Sequence, residues 1–184
     1  MKKEIRWHGR GGQGVVTANE ILAEAAIKEG MYVKAFPEFG PERMGAPIRA
    51  FTRISEDPIR VHSQVYEPDI VVVIDPTLIG KVNVLDGLKE DGFILIDYPG
   101  SPKDLQEELG DVEVHTVNAT KISIEEMGKP MVNTAMLGAL IKVSKLVSYD
   151  TLADCLTDKF TGKLSDKLIV KNISCLKRAF DEVQ

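Results

Sequence analysis

The sequence is poor in the residues from which metal and disulfide chemistry is built. It has two cysteines, Cys155 and Cys175, in 184 residues. An iron–sulfur cluster takes about four thiolates, so this chain is not expected to hold one. Nor do two cysteines make the dense framework of a small secreted domain, and a reduced, cytoplasmic protein is the expectation. His8, His62 and His115 share no metal-ligand spacing. Positive charge is also short: 23 Lys and Arg stand against 28 Asp and Glu, a formal net charge of −5. A dedicated nucleic-acid binder shows the opposite balance. No run approaches the roughly 20 apolar residues of a membrane span. The opening Met-Lys-Lys-Glu-Ile-Arg-Trp has charge but no apolar segment, so it is not a signal peptide. Ser101, Ser123 and Thr134 lack the strained glycine-flanked turn that exposes a nucleophile. No catalytic residue and no metal ligand is assigned.

What is present describes a globular domain. Hydrophobic residues make up 43% and charged residues 28%, and a chain of this length is expected to form one domain over 1–184. Residues 4–8 read as a strand, followed after a glycine turn by a helix with Val15, Ala18, Ile21, Leu22, Ala25 and Ala26 on one face and Gly30 as its stop. Strands are expected at 32–36, 48–54, 69–75, 93–97 and 112–117, and the run Ile70 to Ile74 suits a central strand covered on both faces. Residues 59–62 are expected to pair back on 48–54 as an antiparallel arm. Short helices are expected at 78–90 and 102–109. Three further helices follow, at 133–147, at 149–160 with Ser148 or Asp150 as cap, and along the stripe Leu164 to Phe180. Alternating strands and helices imply an α/β fold: a three-layer α/β/α, Rossmann-like domain with a mostly parallel, mixed sheet and a helical C-terminal portion.

Two segments carry chemical information. Gly9, Gly11 and Gly14 fit G-x-G-x-x-G between a strand and a helix, where glycines allow close approach to a phosphate and the helix start offers free N–H groups. The acidic residue that a dinucleotide site places after the second strand is missing, since Ala35-Phe36-Pro37 stands there. The loop therefore suits a phosphate-bearing ligand other than NAD, a subunit contact, or only the packing of helix on sheet. The second segment, residues 36–47, combines aromatics, prolines, glycines and paired charges. Phe39 and Met44 beside Arg43 have the composition of an interface hot spot; a rigid, salt-bridged loop is the plainer alternative. Asp75 and Asp97 end strands at the edge where open α/β sheets bind ligands, although a turn or helix cap is the commoner role. His8 is expected to pack within its strand.

The blocks His8 to Ala18, Phe36 to Arg43 and Gly45-Ala46-Pro47 resemble the gamma subunits of 2-oxoacid:ferredoxin oxidoreductases. The runs Ala50 to Ile54 and Gln64 to Leu78 extend the resemblance over nearly the whole chain. It is closest to the pyruvate type; the 2-oxoglutarate type tends to carry tyrosine-glycine and a double glycine where this chain has Phe39-Gly40 and Gly45-Ala46. Met44 departs from the second arginine usual in the pyruvate type. The resemblance implies a complex that converts a 2-oxoacid and coenzyme A to acyl-CoA, CO2 and reduced ferredoxin. It implies thiamine diphosphate, Mg2+ and iron–sulfur clusters on other subunits, none in this chain, and alpha, beta and delta subunits as partners. It implies that Arg10, Gly11, Gly12, Gln13 and Gly14 lie near coenzyme A. Phe39, Gly40, Glu42, Arg43 and Met44 are expected at a subunit interface. The alternatives are a gamma subunit serving 2-oxoisovalerate or indolepyruvate, an independent nucleotide-binding Rossmann-like protein, and an interaction module with a packing-only glycine turn.

Overall fold

The computed structural model describes residues 2–38 and 45–184. Six strands form one mixed sheet: β1 (Lys2–Arg10), β2 (Tyr32–Glu38), β3 (Pro47–Ser55), β4 (Ile70–Val73), β5 (Phe93–Asp97) and β6 (Glu113–Val117), in the order β2-β3-β1-β4-β5-β6. β1, β4, β5 and β6 are parallel, and β3 runs antiparallel to both β1 and β2. Strand alternation puts Ile5 and Trp7 on one face of β1 and Arg6 and His8 on the other.

The Ile5–Trp7 face is covered by α1 (Val15–Lys28), α3 (Ala119–Met127), α4 (Asn133–Ser144), α5 (Tyr149–Phe160) and α6 (Asp166–Glu182). Their apolar stripes close one core with Ile54, Ile70, Val72 and Leu95. Trp7 is fully buried there, and its indole Nε1 donates to Thr52 Oγ1 at 2.9 Å. Truncating such a side chain typically costs about 3–5 kcal/mol. Gly30 adopts φ +84 just past α1 and its N–H closes on the Ile27 carbonyl, as a helix stop requires. Ser148 and Ser165 cap α5 and α6 by accepting from the Thr151 and Leu168 amides. The expected α/β class, its mixed sheet and its helical C-terminal portion are all present. Among the described residues no helix is long and apolar enough to cross a membrane.

The opposite face is thinner. Val71, Val73, Ile94, Ile96 and Val114 pack against Val84, Leu105 and Leu109, carried by 3-10 turns at Pro76–Leu78 and Pro102–Leu105 and by the one-turn α2 (Gln106–Leu109). Over β1 and β3 the cover is irregular chain, held by buried Arg53. Its Nε donates to Glu4 Oε1 at 2.5 Å, and its Nη1 and Nη2 donate to the Ser63 and Gln64 carbonyls at 2.5 and 2.7 Å.

Three local expectations are corrected. Residues 59–62 form no strand, because β3 is already paired along both edges; the antiparallel element is β3 itself. Residues 78–90 form turns rather than a helix, with Gly80 and Gly87 at φ +74 and +66. A Cβ at Gly87 would lie 2.0 Å from the Tyr66 carbonyl oxygen, so that glycine is required by a chain crossing as well as by its turn. Helix α3 was not anticipated; Asn118 starts it by accepting from the Lys121 amide.

Helices α4 and α6 cross closely, and a Cβ on Gly138 would lie 2.1 Å from the Leu176 carbonyl oxygen. Gly→Ala inside a helix normally stabilises by about 0.5–1 kcal/mol. Here the sign reverses, because backbone must move. Gly138→Ala is expected to destabilise by about 1–3 kcal/mol, read as a lower midpoint in denaturant; a midpoint at or above wild type would contradict the close crossing.

Candidate functional site

The carboxyl ends of β1, β4 and β5 meet along one edge, and the glycine turn is built there. Gly9 lets α1 sit close, since a Cβ at this position would lie 2.4 Å from Val15 Cγ2. Gly11 exchanges backbone hydrogen bonds with the far side of the 38–45 connection: its N–H donates to the Ala46 carbonyl at 3.0 Å and its carbonyl accepts from Gly45 N at 3.2 Å. The Gln13 side chain folds back, accepting from Arg10 N at 2.7 Å and donating to Asp75 Oδ2 at 2.9 Å. Gly14 opens α1 at φ +78, a left-handed conformation that favours glycine.

Asp75, two residues past the end of β4, organises this turn. Arg10 Nε donates to its Oδ2 at 2.9 Å, while Thr77 N and Oγ1 donate to its Oδ1 at 2.9 and 2.6 Å. The remaining Arg10 donors reach the Gly45 carbonyl at 3.1 Å and Thr77 Oγ1 at 3.0 Å. Burial pushes the Asp75 carboxyl up, but the hydrogen bonds from Thr77 and Gln13 and the Arg10 charge outweigh it and hold it below its ordinary value. The cap expected of Asp75 is present; its hold on Arg10 and Gln13 was not anticipated. Asp97 has the opposite balance. It is buried and caps α3, accepting from Thr120 N at 3.1 Å and Thr120 Oγ1 at 2.6 Å. Burial raises its carboxyl above the ordinary value against these bonds, and the Asp75 charge adds to the rise.

Beside the turn, a cleft of about 270 Å³ opens between the starts of α1 and α4. Gly12, Gln13, Gly14, Thr17 and Asn133 give it a polar side, and Pro130, Met131 and Phe160 an apolar wall. Thr17 and Asn133 were not singled out in the sequence. Their only signal there was position: one turn into the helix after the glycines, and at the start of a later helix.

A second polar group lies on the thin face. His8 is buried and Arg6 Nε donates to its Nε2 at 3.1 Å, while Arg6 Nη2 donates to the Val84 carbonyl at 3.0 Å. His8 is thus the packed strand histidine expected. Burial, joined by the Arg6 and Arg49 charges, lowers its pKa to about 3. Next to it Arg49 holds Glu38 through Nε at 2.5 Å and Nη2 at 2.8 Å, with Gln64 Nε2 also donating to that carboxylate at 2.8 Å. Glu38 is therefore a salt-bridged group, held below the usual carboxylate range by Arg49. The interface candidates Phe39, Gly40, Glu42, Arg43 and Met44 lie outside the described residues.

Among the described residues no group of three or more His, Cys, Asp or Glu is placed to hold a metal. Cys155 and Cys175 are buried among the helices, and burial pushes the Cys175 thiol up to about 11, far from the thiolate a cluster requires.

Residues 4–182 match the family model for pyruvate ferredoxin/flavodoxin oxidoreductase. The chain is 50% identical to pyruvate synthase subunit PorC of Methanothermobacter thermautotrophicus over 181 residues, covering 98% of this chain and 96% of the relative. It is 49% identical to the pyruvate/ketoisovalerate oxidoreductases common subunit gamma of Pyrococcus abyssi, covering 98% and 97%. Its fold superposes on the crystal structure of pyruvate oxidoreductase subunit PORC from Thermotoga maritima with a TM-score of 0.88 at 38% identity, covering 100% and 97%.

The His8 environment makes a pH prediction. Its folded pKa of about 3 lies below the ordinary 6.5, so between those values the unfolded chain binds the proton that the folded chain refuses. The contribution is intact above pH 6.5 and is lost as pH falls towards 3, at up to about 1.4 kcal/mol per pH unit. Denaturation of wild type and His8→Gln from pH 7 to pH 4 checks this; equal slopes would contradict it.

Proposed function

The chain belongs to the pyruvate ferredoxin/flavodoxin oxidoreductase family, and from that membership we propose that it serves as the gamma subunit of a pyruvate:ferredoxin oxidoreductase. The complex converts pyruvate and coenzyme A to acetyl-CoA, CO2 and reduced ferredoxin. The observation that carries this reading is the likeness, along almost its whole length, to PorC subunits in both sequence and fold. Thiamine diphosphate, Mg2+ and the iron–sulfur clusters belong to the alpha, beta and delta subunits of a cytoplasmic complex. The residues here supply binding and orientation, while the cofactors elsewhere carry the electron chemistry. Two buried thiols in an apolar helical layer fit this division of labour.

In this reading Arg10, Gly11, Gly12, Gln13 and Gly14 lie near the coenzyme A phosphates. The support is their place at the carboxyl edge of the parallel strands, ahead of a helix whose start carries no side-chain cap. Arg10 shares its guanidinium between Asp75, Thr77 and the Gly45 carbonyl, so it both shapes the turn and presents charge beside it. Phe39, Gly40, Glu42, Arg43 and Met44 form part of the contact with the catalytic subunits. A second reading follows from the Pyrococcus abyssi relative, whose name couples pyruvate with ketoisovalerate: one gamma subunit would then serve both enzymes.

Anaerobic affinity purification from the native host tests assembly. Larger partners, a brown iron–sulfur absorption and bound thiamine diphosphate are expected, with partner recovery reduced for Arg43→Glu. A colourless chain recovered alone would overturn the subunit reading, and activity with pyruvate but not 2-oxoisovalerate would exclude the shared role. In the assembled enzyme Arg10→Ala is expected to raise KM for coenzyme A about tenfold with kcat little changed, the loss of one charge-assisted contact; an unchanged KM would remove coenzyme A from the glycine turn.

A further inference from the structure

Two helices begin at the cleft beside the glycine turn, and both begin bare. The first residue before α1 is Gly14 and that before α4 is Val132; neither makes a side-chain cap, and neither helix has an acidic residue in its first turn. The two C-terminal helices show the usual alternative, with Ser148 and Asp150 at α5 and Ser165 and Asp166 at α6. The first i→i−4 bonds of α1 and α4 run from Ala18 N to the Gly14 carbonyl and from Met136 N to the Val132 carbonyl. The amides of residues 15–17 and 133–135 therefore have no acceptor one turn back, and both helix dipoles present their positive ends to one small space.

Asn133 supplies the independent observation. It is 5% exposed, lines the cleft, and its carboxamide makes no hydrogen bond to any described residue. It rests on Gly14 so closely that a Cβ there would lie 2.6 Å from Nδ2 and 2.8 Å from Cγ. Among the described residues no sealed side-chain nitrogen or oxygen lacks a partner, so the polar end of Asn133 opens onto the cleft. Here the carboxamide is held at the junction of two uncapped helix starts, with a donor available for a ligand. No charged side chain lines the cleft, so its donors are neutral: main-chain N–H groups, the Asn133 amide and the Thr17 hydroxyl. Its volume of about 270 Å³ fits a single phosphate group with a short apolar neighbour against Pro130, Met131 and Phe160, not a whole dinucleotide.

We propose that the cleft between the N-termini of α1 and α4 is an oxyanion site for a phosphate group, with Asn133 as its side-chain ligand. The inference deepens the coenzyme A reading and rests on it only for the source of the phosphate, which is either coenzyme A or free inorganic phosphate.

Amide resonances of the full chain are followed by NMR while inorganic phosphate, coenzyme A or phosphate-free pantetheine is added. Saturable shifts at residues 15–17 and 133–135 are expected with phosphate and with coenzyme A, and none with pantetheine. Asn133→Asp keeps the shape of the side chain and puts a carboxylate where a helix start favours one, so folding is retained. The same carboxylate repels the ligand, and both affinities are expected to fall about tenfold or more, equivalent to about 1.4 kcal/mol. No saturable shift with phosphate or coenzyme A, or equal affinities in Asn133→Asp, would overturn the site. Phosphate affinity lost in Asn133→Asp while KM for coenzyme A stays unchanged in both Asn133→Asp and Arg10→Ala complexes would uphold the site and overturn the coenzyme A reading. A raised KM in Arg10→Ala, with Asn133→Asp normal in both assays, would do the reverse.

Discussion

The Asp75 carboxylate stands at the end of a strand buried on both faces, and donors from two separate loops converge on it. Arg10 and Gln13 come from the glycine turn after β1; Thr77 comes from the turn after β4. A carboxylate in this position would be unfavourable alone, and its partners more than offset the burial. The same contacts fix the path of the turn. With Gln13 folded back and Arg10 anchored, Gly14 is delivered to the start of α1 at the angle that lets Asn133 close over it. One acidic group thereby couples the two parallel strands at the centre of the sheet to the edge where the glycine turn and the start of α1 lie.

The two faces of the sheet solve burial differently. Under the helices the core is mainly apolar, with the neutral hydrogen-bonded groups Trp7–Thr52–Asn19 and Thr134–Asn172 within it, and Gly138 allows the close crossing of α4 and α6. Under the thin cover, β1 and β3 present Arg6, His8, Arg49 and Arg53, and irregular chain is held down by guanidinium-to-carbonyl bonds. Arginine suits this work, because it keeps its charge and offers several donors in a rigid plane. Removing buried Arg53 would leave the Ser63 and Gln64 carbonyls without these donors and Glu4 with Lys2 as its ion-pair partner, a loss of about 3–5 kcal/mol. The neutral state of His8 follows first from its burial and then from the same crowding of positive charge.

The elements with strong local signals were legible: α1 through its Val15–Ala26 stripe, β4 through its β-branched run, α5 through its cap and α6 through its apolar stripe. Legibility ended where tertiary pairing decides. Nothing local distinguishes residues 59–62, which stay irregular, from a strand; the deciding fact is that both edges of β3 are taken by chain far away in sequence. Likewise 78–90 has helical composition, but its glycines serve turns and a crossing under the Tyr66 carbonyl. At the site, the glycine turn was visible as a motif, and Asp75 as a strand end. That Asp75 binds Arg10 across 65 residues, and that Asn133 meets Gly14, depends on strand order and helix packing, which leave no trace in short-range spacing.

The position of β1 has a consequence for how the protein comes into being. It is the first of the six described strands in sequence, yet its neighbours are β3, centred some 45 residues later, and β4, 65 residues later in register. Ile5 and Trp7 therefore leave the ribosome before either flanking strand exists; of the helices that cover them only α1 precedes those strands, and α3 to α6 are later still. Loop closure of this length makes central-strand pairing slow and leaves the nascent chain open to intermolecular pairing in the meantime. During synthesis β1 is thus without a strand partner until β3 and β4 emerge, and its core face is fully covered only when the carboxyl-terminal helices arrive.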